Sequence, residues 1–73
     1  MDVSEDNFIK QVGLQIKKLR EERNLTQEDL ANDCNIPKSQ IGRIERGEIN
    51  TTLRTLSKIS KAFNVHPHEL LRF

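Results

Sequence analysis

Two helix signals set close together in the middle of the chain constrain its fold more than any other feature. Leu25-Thr26-Gln27-Glu28-Asp29-Leu30-Ala31 reads as a helix start. The Thr26 hydroxyl can cap it, Asp29 three residues on is the return partner of a capping box, and Leu30 and Ala31 supply the inner face. Asn35 ends this helix. The next begins near Pro37, turns Ile41 and Ile44 inward at i, i+3 spacing, and stops at Gly47, where a left-handed residue is needed. What remains outside is Lys38, Ser39, Gln40, Gly42, Arg43 and Arg46. That face is small, polar and cationic, and its donors are those that meet phosphates and base edges.

The chain has 73 residues, enough for one domain over 1–73 that hides about 60% of its unfolded surface and too few for a cleft between domains. A hydrophobic content of 34% is low but sufficient for a helical bundle in which each helix buries one stripe. With no Trp or Tyr, aromatic packing falls to Phe8, Phe63 and Phe73. The net charge of +1 conceals an asymmetry. Residues 36–66 carry six basic side chains against two acidic ones, and residues 1–35 five against eight. Such a dipolar domain can turn a basic face to phosphate. A single cysteine, Cys34, rules out an internal disulfide and suits a reducing, cytoplasmic setting, with the thiol packed near the turn between the second and third helices. Neither a signal peptide nor an apolar run of the ~18 residues needed for a membrane span is present, so no membrane partner is expected.

Around the central pair the pattern predicts three more helices. Ser4 caps the first, with Glu5 and Asp6 near its positive end and Val3 stapling onto Phe8. It runs to about Arg23, with Phe8, Ile9, Val12, Ile16 and Leu19 on one stripe. Gly13 costs this helix about 1 kcal/mol relative to Ala, which close approach by another helix would explain. Asn24 and Asn64, like Asn35, occupy helix ends that call for a left-handed residue, each before an apolar side chain. The fourth helix begins after Thr52 and runs from Leu53 to Phe63, burying Leu53, Leu56, Ile59 and Phe63. The fifth is one or two turns from Pro67, with His66 capping it, and presents Leu70, Leu71 and Phe73.

Five stretches in order carry a family resemblance: Ile16-Lys17-Lys18-Leu19-Arg20, Leu25 to Ala31, Ile41 to Gly47, Leu53 to Phe63, and a closing His68-Glu69-Leu70-Leu71. Over roughly Val12 to Leu71 the chain resembles the helix-turn-helix proteins of the phage Cro and repressor (XRE-like) type, to which the controller proteins of restriction-modification systems are related. The resemblance implies an all-α, compact five-helix bundle that places its third helix in the DNA major groove. Carried over residue by residue, it assigns Lys38, Ser39 and Arg43 to base contacts and Gln27, Gln40 and Arg46 to phosphates. Arg43 has the planar fork that pairs with guanine N7 and O6; the competing role for it is a surface ion pair. Lys38 suits either phosphate or guanine. Pro37 departs from the family, which has a hydroxyl residue there. Glu45 is expected to hold Arg46 or the following loop.

Other chemistry finds little support. His66, His68 and Cys34 make three possible metal ligands at best, at spacings foreign to a structural zinc site. No nucleophile and base pair, and no glycine-rich phosphate loop, points to an enzyme, and neither a cofactor nor a small-molecule ligand is expected. The resulting expectation is a transcription regulator that binds a double-stranded DNA operator as a homodimer joined through Leu70, Leu71 and Phe73. The alternative is a protein-interaction module, such as an antitoxin subunit that masks a toxin.

Overall fold

The computed structural model describes residues 4–73. Four α-helices are followed by a short 3₁₀ segment: α1 (Glu5–Glu22), α2 (Gln27–Cys34), α3 (Lys38–Glu45), α4 (Leu53–Phe63) and the 3₁₀ segment Pro67–Leu71. The described residues contain no strand. The expected fifth α-helix is therefore corrected to a 3₁₀ turn. Only five residues lie in it, Pro67 supplies no N–H, and the Glu69 N–H closes an i→i+3 bond to the His66 carbonyl at 2.9 Å.

Local chemistry sets the helix boundaries. Ser4, Thr26 and Thr52 each accept a hydrogen bond from the backbone N–H three residues on. Asp29 completes the box on α2 by accepting the Thr26 N–H at 2.9 Å. At the other ends Asn24, Asn35 and Asn64 stand at φ 56°, 56° and 57°, and Gly47 at 71°. The N–H groups of Leu25, Ile36, Glu48 and Val65 then reach back to the carbonyls of Arg20, Ala31, Arg43 and Ser60 at 2.9–3.2 Å, so all four helices end in the same left-handed closure. The predicted staple between Val3 and Phe8 falls outside the described residues on the Val3 side. Phe8 itself is half-exposed and meets Phe73, ring centroids 6.0 Å apart.

The core draws on every element: Val12 and Ile16, Leu30, Ala31 and Cys34, Ile41 and Ile44, Ile59 and Phe63, and Leu70. α2 packs on α3 and α4, while α1 packs on α3 and on the 3₁₀ segment. Arg23 links the ends of α1 and α4, donating to the Phe63 carbonyl at 3.2 Å with its guanidinium 5.1 Å from the Phe63 ring. Gln15 donates to the Glu69 carbonyl at 2.9 Å. Leu53 is not in the core as expected. As the first residue of α4 it points outward and is 85% exposed.

Gly13 is where α1 and α3 approach most closely. A Cβ there would overlap the Ile44 carbonyl oxygen and lie 2.8 Å from that of Glu45. Both obstacles are backbone, so neither can swing aside. Helix propensity alone makes Gly13→Ala stabilising by about 1 kcal/mol. We expect the reverse, a loss of about 1–3 kcal/mol from overpacking, read as a thermal midpoint lowered by roughly 4–8 °C per kcal/mol. A raised midpoint would contradict the close approach.

Candidate nucleic-acid interface

α3 is short and two-sided. Ile41, Gly42, Ile44 and Glu45 are buried, while Lys38, Ser39, Arg43 and Arg46 are exposed and Gln40 is half-buried. The three proposed base-reading residues, Lys38, Ser39 and Arg43, thus share the outer side of one eight-residue helix. Pro37 sets its start in extended conformation and makes no side-chain cap. The first turn carries no acidic residue to oppose an approaching phosphate.

A buried ion pair fixes how this helix is held. Arg20, on α1, donates through Nε and Nη2 to the two carboxylate oxygens of Glu45 at 2.7 and 3.1 Å. Its Nη1 donates to the Leu25 carbonyl at 2.7 Å, in the turn before α2. Gln27, the first residue of α2, adds a bond from Nε2 to Glu45 Oε1 at 3.1 Å. One carboxylate therefore ties together α1, α2 and α3. The hydrogen bonds to Glu45 hold the Arg20 guanidinium more firmly protonated than usual, outweighing the opposing cost of burial. Glu45 was expected to hold Arg46 or the loop. Instead it is buried one turn after Ile41, where Arg20 and Gln27 donate to it.

Arg46 is held elsewhere. It lies at the C-cap of α3 and donates to Glu48 at 2.7 and 3.3 Å in an exposed pair. The Arg46 guanidinium keeps the Glu48 carboxyl below its ordinary value. Gly42 leaves room for this arrangement: a Cβ there would come within 2.9 Å of Arg46 Nη1 and 3.4 Å of Gln27 Oε1. Gln27 and Arg46 consequently border the same bare patch of α3. At the start of α2, the Thr26 N–H and hydroxyl hold the Asp29 carboxyl below its ordinary value.

The comparisons with known proteins agree with this geometry. The helix-turn-helix family designated HTH_3 matches residues 16–70. This chain belongs to that family. Its members are DNA-binding transcription regulators of the XRE type rather than enzymes. The chain is 40% identical over 62 residues to Control protein C.BamHI of Bacillus amyloliquefaciens, covering 84% of this chain and 76% of the relative. It is 41% identical over 54 residues to the immunity repressor protein of Bacillus phage phi105, covering 74% of this chain but 38% of that longer protein. Among solved structures it is similar to the restriction-modification controller protein C.AhdI of Aeromonas hydrophila, with 32% identity, a TM-score of 0.84, and coverage of 85% of this chain and 94% of that one.

The remaining sequence candidates have simpler placements. Cys34 is buried, and burial pushes its thiol up, away from the reactive thiolate. His66 and His68 stack at 5.6 Å, and His66 makes no side-chain cap. Among the described residues no group of His, Cys, Asp and Glu is arranged to hold a metal ion, and no helix is long and apolar enough to cross a membrane. Leu70 is completely enclosed by its own chain and is removed from the proposed dimer surface. Leu71 and Phe73 stay partly exposed. The Arg20–Glu45 pair escaped the sequence reading, although the signal was present: Arg20 continues the buried stripe of Val12 and Ile16, and a charge on such a stripe requires a buried partner.

Proposed function

We propose that the chain is a sequence-specific transcription regulator that binds a duplex DNA operator as a homodimer, with α3 in the major groove. The observation that carries this reading is the exposed cationic face of α3, fixed against α1 and α2 by the Arg20, Glu45 and Gln27 network. In this reading Arg43 pairs with a guanine, Lys38 and Ser39 reach neighbouring base edges, and Gln27, Gln40 and Arg46 meet phosphates. Gln27 does two jobs, since its amide has a second donor beyond the one given to Glu45. Arg46 exchanges Glu48 for phosphate, a swap that an exposed ion pair resists only weakly.

A single domain of this kind buries roughly 600–1,000 Å² on DNA, modest for tight specific binding, so two copies on a two-fold operator are expected. Support for an interface comes from an apolar patch where the N-terminal ends of α1 and α4 meet the chain end. Phe8, Leu53, Leu71 and Phe73 are 49%, 85%, 44% and 48% exposed. Three of them, Phe8, Leu53 and Leu71, border an apolar cavity of about 150 Å³. The occupant we assign is a second copy of the chain.

Arg43→Ala should relax base preference at one position per half-site at a cost of about 1–3 kcal/mol, and Arg46→Ala should weaken all sequences alike. Sequencing of DNA selected from a random pool checks both, and an Arg43→Ala profile identical to wild type would sink the assignment. Leu53→Glu tests the dimer without disturbing the core. Each buried copy of Leu53 is worth about 1.5–3 kcal/mol and two-fold symmetry counts it twice, so the dimer dissociation constant should rise at least about 100-fold. Sedimentation should show a folded, helical monomer with weakened operator binding. An intact dimer would reject this interface, and a toxin or other foreign chain protected by the same patch would favour the interaction-module reading.

A further inference from the structure

Lys10, Leu14 and Lys17 stand at i, i+4 and i+7 on α1, all exposed. They form one wall of a groove of about 460 Å³ whose other wall is Gln27, Glu45 and Arg46. Glu45, the carboxylate lining the groove, is already engaged by Arg20 and Gln27, and Glu48 by Arg46. Lys10 and Lys17 have no ion-pair partner among the described residues. Lys10 is also fixed in place, because its stem packs on Gly47 so closely that a Cβ there would lie 2.7 Å from Lys10 Cγ. Along α1, Asp6 one turn before Lys10 and Glu21 one turn after Lys17 mark the ends of this cationic stretch.

We infer that the groove is a second DNA-backbone surface, in which Lys10 and Lys17 hold phosphates flanking the segment read by α3. The inference rests on the major-groove reading of α3, because Gln27 and Arg46 belong both to that footprint and to the groove and so join the two. A free small anion fits less well. Lys10 and Lys17 sit seven residues apart, about 10 Å along the helix, with the half-exposed apolar Leu14 between them, which is too wide for one small ion and suits a polyanion that offers several phosphates along its length.

The test compares wild type, a Lys10→Gln, Lys17→Gln double variant and a Lys18→Gln control. Lys18 is an exposed lysine on the same helix, and it lies outside the groove. Affinity is measured against salt on the selected operator, first with long flanks and then trimmed to the segment under α3. On the long duplex the double variant should lower the log-log salt slope by about 0.9 per lost phosphate, about 1.8 in all for each protomer bound, with an unchanged base profile. The control should match wild type, and on the trimmed duplex all three should bind alike. A double variant with the slope of the control on the long duplex overturns the inference while leaving the α3 reading intact. A wild type that binds no sequence overturns both.

Discussion

The placement of α3 against α1 and α2 depends on one buried carboxylate. Glu45 accepts from Arg20 and from Gln27, and Arg20 also holds the Leu25 carbonyl in the turn that leads into α2. The start of α2 and the end of α3 are thereby fixed with respect to α1 by directional bonds rather than by apolar contact alone. An apolar contact of similar area would permit small rotations. A bidentate guanidinium and carboxylate pair does not, since both partners are planar and both oxygens are used. Taking two charges out of water is costly, and such a pair contributes little net stability relative to a packed hydrophobic substitute. Its value here is geometric: the DNA reading proposed for α3 requires side chains placed to within a fraction of an ångström.

The packing around that network follows the same economy of space. Gly13 lets α1 lie directly on the last turn of α3, so Arg20, two turns along α1, meets Glu45. Gly42 leaves the surface of α3 bare where Gln27 and Arg46 converge. Backbone closures at Asn24, Asn35, Asn64 and Gly47 stop each helix sharply, which keeps the connections short. Polar and cationic side chains occupy the outer side of α3, while exposed apolar ones gather at Phe8, Leu53, Leu71 and Phe73, around a cavity that Ile44 and Ile49 also line.

Helix boundaries were legible in the sequence because caps and left-handed stops are local. Thr26 and Asp29 lie three residues apart, and the Asn before each apolar residue acts within its own turn. Gly13 was legible as well, as a residue with no reason to sit inside a helix unless something approached it. The Arg20–Glu45 pair was harder, since 25 residues separate its members and the chain offers eight acidic and four other basic side chains among its first 35 positions. Leu53 and Leu70 were misplaced for a shared reason: at a helix end the apolar period no longer determines which way a side chain points. Periodicity put Leu53 inside and left Leu70 outside, whereas the first lies 85% exposed and the second fully buried. The outward residues of α3 were named from a family resemblance, and the structure contributes their common exposure on one side.

The most direct measurement is a double-mutant cycle on urea unfolding, using Arg20→Met, Glu45→Met and the two together. If the pair holds the three helices as described, each single variant leaves an uncompensated buried charge and loses about 3–5 kcal/mol. The double variant then falls well short of the sum, with a coupling energy of about 2–3 kcal/mol. Additivity within about 0.5 kcal/mol would mean that Arg20 and Glu45 do not act on one another, and that α3 is positioned by something else.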